Sequence, residues 1–198
     1  MKSLLLFSTA LLLSVLVIAV VPTEAEAKIY EDTVRLHILA NSDSEEDQAL
    51  KLFIRDKILE KYGVALSGEK SAEDAINSYS SLLQDIEKDC EVWIKNAGYG
   101  YSVKVTLTEE WYDTRAYEDF TLPSGNYYSL RVIIGEGAGK NWWCVMYPPL
   151  CTDIATENSP PDDVIVGYSE NEVTLITEKK YNVKFKSLEL LSKVFYKK

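Results

Sequence analysis

Val34-Arg-Leu-His-Ile-Leu-Ala-Asn-Ser-Asp-Ser-Glu-Glu-Asp-Gln-Ala-Leu-Lys51 changes character at its midpoint, and that change decides the fold class. Val34 to Ala40 reads as a strand. Asn41-Ser-Asp-Ser44 is a turn that supplies a helix N-cap. Glu45, Glu46 and Asp47 then fill a first helical turn, where the helix dipole favours negative charge. The helix is expected to run to about Tyr62 and stop at Gly63. Its apolar residues occupy two sides, with Ala49, Leu52 and Phe53 facing one way and Leu50, Ile54 and Ile58 another. Gln48, Lys51 and Arg55 are left as a narrow polar strip. Such a helix is either sandwiched in the core or touches a partner.

Downstream, Ser71 and Asp74 start a second helix and Gly98 ends it. Ala72, Ala75, Ile76, Tyr79, Leu83, Ile86, Cys90, Trp93 and Ala97 recur at three- and four-residue spacing, which makes Cys90 a small buried hydrophobe. The period then falls to two: Tyr101, Val103, Val105 and Leu107 alternate with polar residues. Further strands are expected at Arg115–Thr121, Tyr128–Ile134 and Asn141–Tyr147, with Gly135-Glu-Gly-Ala-Gly139 as a hairpin turn. Residues 152–163, polar and acidic, are expected to be a surface loop. Val164–Tyr168 and Val173–Thr177 read as a hairpin, and Lys186–Phe195 as a closing helix. The sum is one α+β domain: an N-terminal strand and two helices, then an antiparallel sheet and a C-terminal helix.

The N-terminus addresses the compartment. Lys2 precedes an uncharged apolar run from Leu4 to Val21; Pro22 follows, and Ala25-Glu-Ala27 has the small-residue pattern of signal peptidase. Residues 1–27 are therefore read as a secretory signal cut after Ala27, leaving residues 28–198 as the domain. The competing reading is an uncleaved anchor, because the run just reaches spanning length. The whole chain carries a net charge of −10, which argues against a nucleic-acid footprint and electrostatic adhesion to anionic lipid.

Three cysteines in an exported chain allow at most one internal pair. Cys144 and Cys151 close a short loop that Pro148 and Pro149 already bend, a brace worth about 2.5 kcal/mol in the chain-entropy estimate. That expected disulfide leaves Cys144 a poor nucleophile.

Other chemistry fails on its own requirements. Gly135–Lys140 lacks the first glycine of a phosphate loop, where Ile134 stands, and its Ser or Thr, where Asn141 stands. His37 is the sole histidine, so zinc signatures built on histidine pairs are excluded, and it reads as a hydrogen-bonded strand residue. Asp43, Glu45 and Asp47 lack the central glycine and terminal glutamate of a calcium loop. No cofactor, metal or small-molecule substrate is expected. Adjacent Trp142 and Trp143 point to opposite faces of their strand, so one enters the core and the other is covered or stacks on a partner.

Arg35–Lys51, continuing through Arg55-Asp56, resembles the opening signature of the stage II sporulation protein R family. Leu122–Tyr127, Arg131–Gly135 and Gly139–Cys151 resemble that family's second block. The resemblance implies a signal and not a catalyst. Its members are exported from the forespore into the intermembrane space. There they trigger a membrane-embedded aspartic protease, stage II sporulation protein GA, which processes pro-sigma-E in the mother cell. On that reading the partner-binding residues are Asn41, Asp43, Asp47, Lys51 and Arg55, with Trp142 or Trp143 as an anchor. The rival readings are an exported enzyme acting on cell wall through Cys144 or Asp43 and Asp47, and a wall-binding module.

Overall fold

A computed structural model describes residues 23–63, 69–117, 120–150 and 167–177, together with 2, 6–11 and 14 near the N-terminus. The described elements are α1 (Glu24–Glu31), β1 (Val34–Leu39), α2 (Glu45–Ile58), α3 (Ala72–Asn96), β2 (Val103–Tyr112), β3 (Arg115–Ala116), β4 (Thr121–Leu122), β5 (Gly125–Ile134), β6 (Asn141–Tyr147) and α4 (Glu170–Thr177). Among the described residues no helix is long and apolar enough to cross a membrane, and most of the run from Leu4 to Val21 lies outside them.

The α+β class holds, with one correction to its sheet. The four strands lie in the order β2-β5-β1-β6, so the N-terminal strand is an inner strand and not a prelude to an antiparallel sheet. It pairs parallel with β5, from Val34 opposite Tyr128 to Leu39 opposite Ile133, and antiparallel with β6. The physical reason is the crossover. Parallel neighbours need a long connection between them, and α2 with α3 supplies it, packing on one face of the sheet.

This placement also changes the glycine-rich turn. β5 and β6 are not hairpin neighbours, because β1 lies between them. Residues 135–140 must therefore straddle the end of β1. Gly139 N–H donates to the Ala40 carbonyl at 2.9 Å and Ala138 N–H to the Asn41 carbonyl at 3.2 Å. A Cβ on Gly139 would stand 2.1 Å from the Ser42 carbonyl oxygen, which only glycine avoids.

Local signals set the helix ends. The Ser44 hydroxyl accepts from Asp47 N–H at the start of α2, and Ser71 accepts from Asp74 N–H at the start of α3. The last turn of α2 widens into a π-helix at Leu59–Gly63. Gly98 follows α3 with φ +89°, a conformation that suits glycine.

Each sheet face has its own core. On the first, Leu36, Ile38, Leu130 and Val132 pack beneath Ile54 and Ile86 of the helices. Cys90 is fully buried there, and burial pushes its thiol up to about 12, as expected of a protonated small hydrophobe. On the second, Ile29, Leu122, Tyr127, Val145, Leu175 and Ile176 meet.

Two expectations change and three fall outside the described residues. The strand expected over Arg115–Thr121 is a two-rung hairpin, β3 against β4. Val173–Thr177 is helical, within α4, because Ser169 and Glu172 form a helix start: the Ser169 N–H and hydroxyl both donate to Glu172 Oε2. Cys151, and with it the Cys144–Cys151 pairing, lies outside the described residues, as do the loop 152–163 and the helix Lys186–Phe195.

Candidate functional site

The loop leaving β1 and the turn straddling it are joined side chain to backbone. Asn41 is the hinge: its amide donates to Asp47 Oδ2 at 2.8 Å, and its Oδ1 accepts from Glu136 N–H at 3.1 Å. Ser42 Oγ also donates to Asp47 Oδ2, at 2.5 Å. These bonds from Ser42 and Asn41 hold the Asp47 carboxyl below its ordinary range, so it stays ionised as an acceptor. Asp43 reaches across the gap, its Oδ1 accepting from Lys140 N–H at 2.7 Å.

Lys51 completes the join from the helix. Its amine donates to Gln48 Oε1 at 2.7 Å and to the Lys140 carbonyl at 3.0 Å. Burial lowers its pKa, with Asp43 opposing. Asp47 and Lys51, expected on a partner-facing surface, are both only 4% exposed. Asn41, Asp43, Asp47 and Lys51 therefore come together, and their bonds fix the loop to the crossing turn.

Among the exposed residues of α2, which include Glu45, Glu46 and Asp56, two are large and apolar. Leu52 is 38% and Phe53 39% exposed, on the side of the helix away from Ile54 and Ile58. Beside them Arg55 stacks over Trp142, its guanidinium carbon 5.2 Å from the ring centroid, while also bonding Asp56. Trp142 packs against the first core and Trp143 against the second, and both are half-buried. The two tryptophans thus do point to opposite faces.

Behind the sheet lies a polar row that local sequence does not announce. His37 Nδ1 and Glu110 Oε2 share a hydrogen bond at 3.0 Å, and His37 Nε2 lies 3.1 Å from Asn141 Oδ1. The His37 ring stacks on Trp143 at 5.6 Å, and Arg115 lies over the same indole at 4.0 Å. Arg131 pairs with Glu110 at 3.3 Å. Burial pushes the Glu110 carboxyl up, but its bonds to His37 and the charge of Arg131 outweigh that and hold it below the ordinary range. Both His37 ring nitrogens are engaged, by a carboxylate and an amide, so the pair positions a ring.

Sequence reasoning missed Glu110, Arg115, Arg131 and Asn141 because only strand register assembles them: Arg131 stands opposite both His37 and Thr106. Period-two alternation along β2 and β5, combined with a correct strand order, would have been signal enough. Among the described residues no group of three His, Cys, Asp or Glu converges as a metal site.

Comparison with known proteins follows the same residues. The family model of stage II sporulation protein R (spore_II_R) matches residues 30–157, a span holding both joined blocks. Stage II sporulation protein R of Bacillus subtilis (strain 168) is 35% identical over 123 residues, which is 62% of this chain and 55% of that protein. The match thus spans little more than half the length of that relative. No solved structure matches. With the family match running from the end of α1 past β6, and with Asn41–Lys51 locked onto Glu136–Lys140, the chain belongs to the stage II sporulation protein R family of sporulation proteins.

Proposed function

We propose that this chain is an exported signal of endospore formation that activates the membrane-embedded aspartic protease stage II sporulation protein GA, which then processes pro-sigma-E in the mother cell. Family membership and the leader-like N-terminus support the reading. The observation that carries it furthest is the outward stripe of α2. Leu52 and Phe53 are exposed apolar side chains on a helix whose start is locked to the β5–β6 connection. A rigid helix with an apolar stripe, flanked by a stacked Arg55–Trp142 pair, suits a partner groove. Binding there activates the protease only if its active state is bound more tightly than its resting state.

The test is co-expression of the full chain with the protease and pro-sigma-E, with the extent of processing as readout. Leu52→Ser combined with Phe53→Ser is expected to cut processing about tenfold or more, as loss of a hot-spot anchor does. Unchanged processing removes this surface from the proposal. Circular dichroism checks that the variant keeps its fold. The wall-enzyme reading predicts peptidoglycan turnover by the purified chain that Cys144→Ser abolishes.

A further inference from the structure

The α1 helix spans the peptide bond that the Ala25-Glu-Ala27 pattern marks for cleavage. Its N-terminus is a capping box. Thr23 Oγ1 accepts from Glu26 N–H at 3.3 Å, while Glu26 Oε2 accepts from Thr23 N–H at 2.6 Å and from the Thr23 hydroxyl at 2.9 Å. Glu26 is fully buried, and Ala25 packs against the second core.

The rest of the helix is built into the domain. Ile29 is fully buried among Leu175 and Ile176. The Tyr30 hydroxyl donates to the Ser124 carbonyl at 3.0 Å, and its ring meets Tyr127 edge-on at 5.2 Å. Thr33 Oγ1 bonds the Ile29 carbonyl at 2.5 Å and lies 2.6 Å from the Tyr168 hydroxyl. A cut after Ala27 would leave Lys28–Glu31, about one turn, too short to hold itself helical. It would also remove the cap and set a new ammonium group at the helix N-terminus, where the dipole opposes positive charge.

We propose that the exported chain retains Thr23–Ala27, and that signal-peptidase hydrolysis, if it occurs, cuts N-terminal to Thr23. In that case Ala25-Glu-Ala27 is helix and core, not a processing site. Small residues upstream, Ala19 among them, remain for the enzyme. The inference builds on export but is independent of protease activation.

The experiment expresses the full-length chain in a secreting bacterial host, separates the extracytoplasmic fraction and reads the N-terminus by intact mass and end sequencing. A product beginning at or before Thr23, the uncut chain included, is the expected result. A product beginning at Lys28, or anywhere after Thr23, overturns the proposal while leaving export intact. A chain found only in the cytoplasm overturns export and the proposal together. Ala27→Leu gives an independent arm, because signal peptidase requires a small residue before the cut. The expected outcome is the same N-terminus as the parent chain; accumulation of uncut precursor from a parent that is otherwise cut overturns the proposal.

Discussion

The two faces of the sheet bury themselves by different chemistry. Beneath α2 and α3, Leu36, Ile38 and Val132 meet Ile54 and Ile86, hydrocarbon on hydrocarbon. Behind the sheet a fully buried guanidinium occupies the centre: Arg35 lies 3.9 Å from the Tyr112 ring centroid and 5.0 Å from that of Tyr127. Its Nη2 donates to the Tyr117 hydroxyl at 2.8 Å, but among the described residues Nε and Nη1 find no hydrogen-bond partner. The first face is non-directional and tolerates volume-conserving exchange. The second depends on particular atoms meeting, and it spends stability to keep a cation dry.

Truncation on the first face should have the largest effect. Ile54→Ala opens a cavity in a fully buried site and should cost about 2–5 kcal/mol in denaturant unfolding. A loss below 1 kcal/mol would mean that this core collapses easily, and the contrast between the faces would fail. On the second face, Arg35→Met keeps the volume and removes the charge. We expect a gain of roughly 1–2 kcal/mol, because replacing buried charge with a packed hydrophobe relieves desolvation. A loss would show that stacking on the tyrosines repays the buried cation.

Tyr127→Phe removes a buried hydroxyl that donates to the Pro123 carbonyl at 2.6 Å, and should cost about 1 kcal/mol. The smallest effect is one of pH. The folded Glu110 carboxyl lies below its unfolded value, so its contribution is present above the ordinary carboxylate range. That contribution is lost as pH falls through the depressed folded value. Glu110→Gln should flatten the acid limb of the stability curve, while Ile54→Ala should shift the curve without reshaping it. Identical acid limbs would dissolve the distinction.

The same contrast decides what the sequence could disclose. Helix caps at Ser44 and Ser71, the apolar stripe of α3 and the alternation in β2 are local, so each was legible within a few turns of chain. The strand order was not. β5 and β6 are separated only by Gly135–Lys140, which looks like a hairpin connection, and nothing local reveals that β1 lies between them. Asp47 and Lys51 were misleading for a related reason. Charged residues near a helix start read as surface, but both are buried: Asn41 and Ser42 of the preceding loop bond Asp47, and the crossing turn bonds Lys51. The Arg35 stack needs β5 to bring β1 and β2 together, so its tyrosines could be counted but not assembled.

An inner strand that is also the first strand made has a consequence for order in time. Both edges of Val34–Leu39 stay unpaired until Tyr128–Ile133 and Asn141–Tyr147 arrive. On the proposed export route, the chain emerges with its organising strand waiting for partners still in transit. Such distant pairing slows folding. The sheet can close only after the second signature block has followed the first.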